Sequence, residues 1–184
     1  MTVYFIRHGQ SEANRDDNVS SDEVQLTEAG SEQAKIAAGL LKDKGITTIL
    51  VSPLVRAGQT AQIISEELGG IDIVVLRELT ERNLGEYKGE PRPENKNFFY
   101  ELENGRGVET HQELIKRAQK AISGIAEAAR SSKGNILVVG HAILGFFMRN
   151  IACGHLEYKD FDWSLKTGNA EVVKIEIGKN WGKI

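Results

Sequence analysis

Five short, mainly apolar runs are spread along the chain: TVYFI at 2–6, TTILVS at 47–52, IDIVVL at 71–76, NILVVG at 135–140 and AEVVKIEI at 170–177. Their apolar residues are continuous, not alternating, which is the pattern of strands covered on both faces. Helical periodicity fills the intervals. In 27–44, Ala34, Ala37, Leu40 and Leu41 fall on one stripe, and Thr27 with the acids after it reads as a start signal. Residues 53–68 begin with Pro53 at the favoured first helical position. From 109 to 130, Leu114, Ile115, Ala118, Ile122, Ile125 and Ala129 recur at helical spacing, and a further helix follows VVGH over 142–152. Alternating strands and helices of this kind predict an α/β fold: a three-layer sandwich with a mostly parallel central sheet flanked by helices.

Residues 86–107, EYKGEPRPENKNFFYELENGRG, interrupt the alternation. The stretch is too long for an ordinary tight connection and reads as a short lid-like insertion or an elaborated loop. Its Phe98, Phe99 and Tyr100 either floor a pocket or anchor the segment to the core. The 184 residues contain no linker separating two balanced halves, so a single domain over 1–184 is expected.

A net charge of −3 gives no general attraction to nucleic acid or to an anionic membrane, so neither is expected as a partner. No apolar run approaches the ~20 residues of a membrane span. The opening MTVYFIRHG lacks the basic start and long apolar core of a secretory leader. The lone Cys153 cannot form an intramolecular disulfide and reads as a small core residue. A cytoplasmic protein is expected. Oligomeric state is not legible, because no heptad seam or large apolar stripe announces a partner.

Three strand exits carry similar chemistry. The first run leads into Arg7-His8-Gly9, the second into PLVRAGQT with Arg56 in the first turn of a helix, and the fourth into His141 just before a helix. Parallel strands bring such exits to one edge of the sheet, where open α/β sheets bind ligands. Two arginines and two histidines near helix N-termini suit a small dianion, and the arginine fork matches phosphoryl oxygens. His111 and His155 lack this placement and are expected to be structural or exposed.

Together RHGQSEAN, SPLVRAGQTA, LTERNLGEYKG and VVGHA resemble the histidine phosphatase superfamily, also called the phosphoglycerate mutase-like family, in family order over residues 1 to about 177. LTEAGSEQA at 26–34 is similar to the segment after the family's first motif. The resemblance implies that His8 is the nucleophile and forms a phosphohistidine intermediate. Arg7, Arg56 and His141 would complete the phosphate pocket, Asn14 would add a hydrogen bond, and Ser20 or Ser21 would touch phosphate. Glu81, four residues before Gly85, would be the proton donor in preference to Glu78. Its pKa would have to be raised toward the working pH, and a protonated His141 would meet the transferring oxygens.

Departures from the family favour water as the acceptor. Ala142 stands where many members have glycine, although its backbone amide remains available to an anion. Leu84 stands where the mutase branch has tyrosine. Lys88, Arg92, Lys96 and Arg106 are scattered, whereas mutases pair adjacent arginines on the substrate's carboxylate end. The expectation is a metal-independent phosphatase, a phosphoric monoester hydrolase, that acts on a small phosphorylated metabolite without a cofactor; a phosphoprotein substrate stays open. The alternatives are a 2,3-bisphosphoglycerate-dependent phosphoglycerate mutase and an inactive phospho-ligand binding protein. A metallohydrolase is disfavoured, since the histidines lack HExxH-type spacing.

Overall fold

A computed structural model describes residues 1–175. The sheet contains β1 (Val3–Arg7), β2 (Ile46–Val51), β3 (Ile73–Val75), β4 (Asn135–Gly140) and β5 (Val172–Ile175). Their order across the sheet is β3-β2-β4-β1-β5. Strand β4 is flanked in parallel by β1 and β2, β3 is parallel to β2, and β5 runs antiparallel along β1. Residues 176 and 177 of the last predicted strand lie outside the described residues.

The two-residue strand period divides the core. Ile136 and Val138 of β4 face a layer with α5 (His111–Ser131) and α6 (Ala142–Ala152). Leu137 and Val139 face the opposite layer, built from α2 (Glu28–Leu41) and α3 (Val55–Glu67). Caps set the helix starts: Thr27 accepts from the Gly30 amide at 3.0 Å, and Thr110 forms a reciprocal box with Glu113 before α5.

Three sequence expectations shift. Leu40 is 63% exposed, because at 3.6 residues per turn it stands about 120° from the stripe of Ala34, Ala37, Ala38 and Leu41. Pro53 does not open α3: the Ser52 hydroxyl accepts from the Leu54 amide at 3.3 Å, and this local turn delays the helix until Val55. Cys153 is exposed, not in the core, since it closes α6 after its last buried turn and Gly154, at φ 93°, redirects the chain. His111 is buried and stacks on Tyr158, in a structural place away from the strand exits.

Segment 86–107 is ordered around one side chain. Arg82 is fully buried and donates from Nε to Glu109 O at 2.8 Å, from Nη1 to Phe99 O at 2.8 Å and from Nη2 to Leu102 O. The short helix α4 (Phe98–Glu101) is thereby held, with Phe98 and Phe99 edge-on to Tyr87. A backbone zipper joins the segment to the loop after α1 (Glu12–Arg15): Val19 N donates to Glu90 O, Gly89 N to Val19 O and Arg92 N to Asp17 O, at 2.8–2.9 Å. Among the described residues no helix is long and apolar enough to cross a membrane.

Candidate active site

The parallel strands β1, β2 and β4 end side by side. Arg7 closes β1 level with Gly140 of β4, and the His8 amide extends that ladder to Gly140 O at 3.0 Å. His141 is the N-cap of α6, and Arg56 lies in the first turn of α3. All four predicted residues therefore meet at one sheet edge, with the His8 and His141 ring centroids 5.2 Å apart.

The partners of His8 fix its chemistry. Nδ1 lies 2.7 Å from Gly9 O; a carbonyl only accepts, so Nδ1 carries the proton. Nε2 then presents its lone pair, which accepts from Arg56 Nε at 3.1 Å. Burial, followed by the charges of Arg56 and Arg7, holds the His8 pKa well below the ordinary imidazole value. A neutral imidazole with a free Nε2 lone pair is the nucleophilic form.

His141 Nε2 is 2.7 Å from Ser52 Oγ, while its buried Nδ1 has no partner among the described residues. Burial and the neighbouring Arg56, His8 and Arg7 likewise push its pKa well down. These influences favour the neutral imidazole, and negative charge brought nearby favours the protonated form that the resemblance implies. Arg7 Nε is also buried without a partner. An unmatched buried donor costs about 1–3 kcal/mol, and an anion's oxygens would satisfy it.

Glu81 reaches the same space from the loop after the single helical turn Arg77–Leu79. Its Oε1 accepts from Leu144 N and from its neighbour Arg82 N, both at 2.9 Å, and its Oε2 accepts from Ile143 N at 3.1 Å. The carboxylate thus sits on the N-terminus of α6, one residue beyond Ala142.

A cavity of about 920 Å³ opens over these groups, lined by Arg7, His8, Arg56 and Glu81. Asn14, Ser20 and Ala142 also border it. Ser21 contributes its backbone, as its carbonyl accepts from Arg56 Nη1 at 2.9 Å. Lys88, Arg92 and Lys96 stand on the outer wall, Lys88 paired with Asp22 at 2.9 Å. Arg106 turns instead to Glu90 and the Tyr87 ring. Among the described residues no three His, Cys, Asp or Glu side chains gather to hold a metal ion.

Sequence reading missed the supports of the nucleophile loop. Asn169 Nδ2 donates to His8 O at 2.9 Å, to Gly9 O at 3.2 Å and to Asn14 Oδ1 at 3.1 Å. Thr60 Oγ1 accepts from Gly9 N at 3.2 Å and donates to Arg56 O at 2.8 Å, coupling nucleophile to arginine. Lys166 also lines the cavity, its ammonium 4.4 Å from the Tyr100 and Trp163 ring centres. The one available signal was the polar turn before the last strand: an antiparallel edge strand beside β1 begins where β1 ends. Against the same loop, a Cβ on Gly9 would lie 2.3 Å from Gly30 O, and one on Gly30 would lie 2.0 Å from Gln10 O.

The depressed histidines make the fold acid-sensitive. In the unfolded chain each titrates near ~6.5, and in the fold well below that value. Between those limits the unfolded chain binds more protons, so their contribution is complete above about pH 6.5 and is lost as pH falls through that window. The urea midpoint is expected to decline less steeply below pH 6.5 in His8→Gln than in the parent. Equal slopes would refute a neutral, buried His8.

Comparison with known proteins gives the family and the fold. The family model described as histidine phosphatase superfamily (branch 1) matches residues 3–184. The chain is 31% identical over 188 residues to a 2,3-bisphosphoglycerate-dependent phosphoglycerate mutase of Thermoplasma acidophilum, covering 95% of this chain and 88% of that one. It is 30% identical over 152 residues to phosphoglycerate mutase-like protein 4 of Arabidopsis thaliana, a match spanning 76% of this chain but 65% of the relative. Its fold superposes on a mycobacterial glucosyl-3-phosphoglycerate phosphatase with a TM-score of 0.83 at 20% identity, over 100% and 94% of the two chains. For the alpha-ribazole phosphatase of Shigella flexneri the TM-score is 0.80 at 23% identity, over 97% and 92%.

Proposed function

Because the chain belongs to the histidine phosphatase superfamily, branch 1, we propose that it is a phosphatase hydrolysing small phosphomonoesters through a phosphohistidine on His8. The observation that carries this reading is the tautomer of His8: Nδ1–H is held by the Gly9 carbonyl, which leaves the lone pair on Nε2, where it accepts from Arg56 Nε.

In the first step Nε2 attacks phosphorus and the ester P–O bond breaks. Arg56 passes from Nε2 to a phosphoryl oxygen, and Arg7 Nε takes another, so both guanidinium groups meet charge spread over the equatorial oxygens. Glu81, protonated, gives its proton to the departing alkoxide. In the second step Glu81, now a carboxylate, takes a proton from water as that water attacks the phosphohistidine. The N–P bond breaks, His8 returns neutral, and inorganic phosphate leaves. The cavity of about 920 Å³ is of the size that takes a small metabolite.

Water is favoured over a second substrate hydroxyl as the acceptor by the outer wall. Lys88 is paired with Asp22, Arg92 Nε donates to Asn18 O at 2.9 Å, and the segment 86–107 has no two adjacent arginines with which to clamp a carboxylate. The mutases among the relatives keep isomerisation as the second reading. Purified protein should be offered a panel of phosphomonoesters including 3-phosphoglycerate, with chelator present, and followed for phosphate and for 2-phosphoglycerate with and without bisphosphate primer. Phosphate without isomerisation is the expected result. Isomerisation with little phosphate release would replace this reading by the mutase.

A further inference from the structure

We infer that Arg117, outside the cavity, is a positioning residue for the acid, acting through the backbone of the loop that carries Glu81. This inference rests on the assignment of Glu81 as proton donor. Between Thr80 and Leu84 the chain has no regular secondary structure, so its backbone polar groups need partners from elsewhere. Arg117, on α5, supplies them: Nη1 donates to Glu78 O at 3.0 Å and to Thr80 O, and Nη2 donates to Glu81 O at 3.3 Å.

The guanidinium is itself held in place. Glu109 receives Nε on Oε1 at 2.8 Å and Nη2 on Oε2 at 2.6 Å, a two-pronged pair with side chains 22% and 14% exposed. Glu109 also ties down the far end of the loop, accepting from Asn83 N at 3.2 Å and donating its own amide to Asn83 O at 2.9 Å. Arg117 does not line the cavity, so it touches no substrate. What it sets is the position of the Glu81 backbone, and from there the carboxylate hanging on the α6 amides. A lysine at 117 has no fork with which to span Glu109 and three carbonyls.

Displacing a reacting group by about 1 Å costs on the order of 100-fold, and in the first step, which kcat/KM reports, a displaced acid slows only esters that need a proton on the leaving oxygen. Arg117→Met should therefore lower kcat/KM for an alkyl phosphate such as a sugar phosphate by about 10- to 100-fold more than for p-nitrophenyl phosphate. Competitive inhibition by inorganic phosphate should stay unchanged. In a Glu81→Gln background the same change should add nothing to the ratio of the two rates.

If Arg117→Met fails to fold, Glu109→Gln, which keeps shape and drops the charge, should show the same selectivity at roughly a few-fold. Equal losses on both esters, beside a selective Glu81→Gln, would overturn the inference alone. An unselective Glu81→Gln would overturn the acid assignment and the inference together.

Discussion

Replacing His8 by glutamine is expected to lower kcat/KM by at least about 10⁴-fold on every phosphomonoester, while the protein stays folded. The nucleophile's contribution is indivisible, because without it the covalent route closes and the remaining groups supply only binding and charge stabilisation. Glutamine keeps a polar group of similar reach for Arg56 Nε, so the pocket need not collapse. It also removes an imidazole whose pKa burial, Arg56 and Arg7 hold well down. Circular dichroism and the thermal midpoint check the fold, and initial rates check the activity. A variant retaining more than roughly one hundredth of the parent rate would eliminate His8 as nucleophile. Rapid quenching of the parent with radiolabelled ester should trap an acid-labile, base-stable phosphoenzyme that the variant lacks.

Glu81→Gln should separate substrates by their leaving groups. Alkyl phosphates expel a strongly basic oxygen and depend on the acid, with an expected loss of about 10²–10⁴-fold. Aryl phosphates with activated phenols expel a stabilised anion and should lose less than about tenfold in kcat/KM, which reports the step that forms the phosphohistidine. The fold cost is small: Gln Oε1 still accepts from one of the α6 amides, and the loss of the negative charge at the helix N-terminus costs about 0.3–1 kcal/mol. The check is a plot of log kcat/KM against leaving-group pKa, steeper in the variant than in the parent. Parallel lines would mean that the proton comes from elsewhere.

The legible part of the site was the part written in consecutive residues. Arg7-His8 stand at the end of one strand, His141 directly follows another and Arg56 lies in the helical turn after a third, so recognising three parallel strands was enough to bring them together. Their supports were illegible for a physical reason. Asn169 meets His8 across 161 positions, Arg117 meets Thr80 across 37, and neither residue carries a local pattern that marks its partner. The lowering of the His141 pKa was not legible, because it depends on summed burial and neighbouring cations, quantities that exist only in the fold. Errors in the fold were local: Leu40 by helical phase, Pro53 by a serine turn, Cys153 by its place just past a buried helical turn.

The backbone crossing at Gly9 and Gly30 has a consequence for descent and engineering. Each glycine is adjacent to the other segment's main chain closely enough that any side chain on either one displaces both. The nucleophile loop and the start of α2 therefore behave as one heritable unit, although they are separated along the chain. A chimera that takes the first from one parent and the second from another must inherit both surfaces of that crossing, or rebuild the nucleophile's backbone from the beginning.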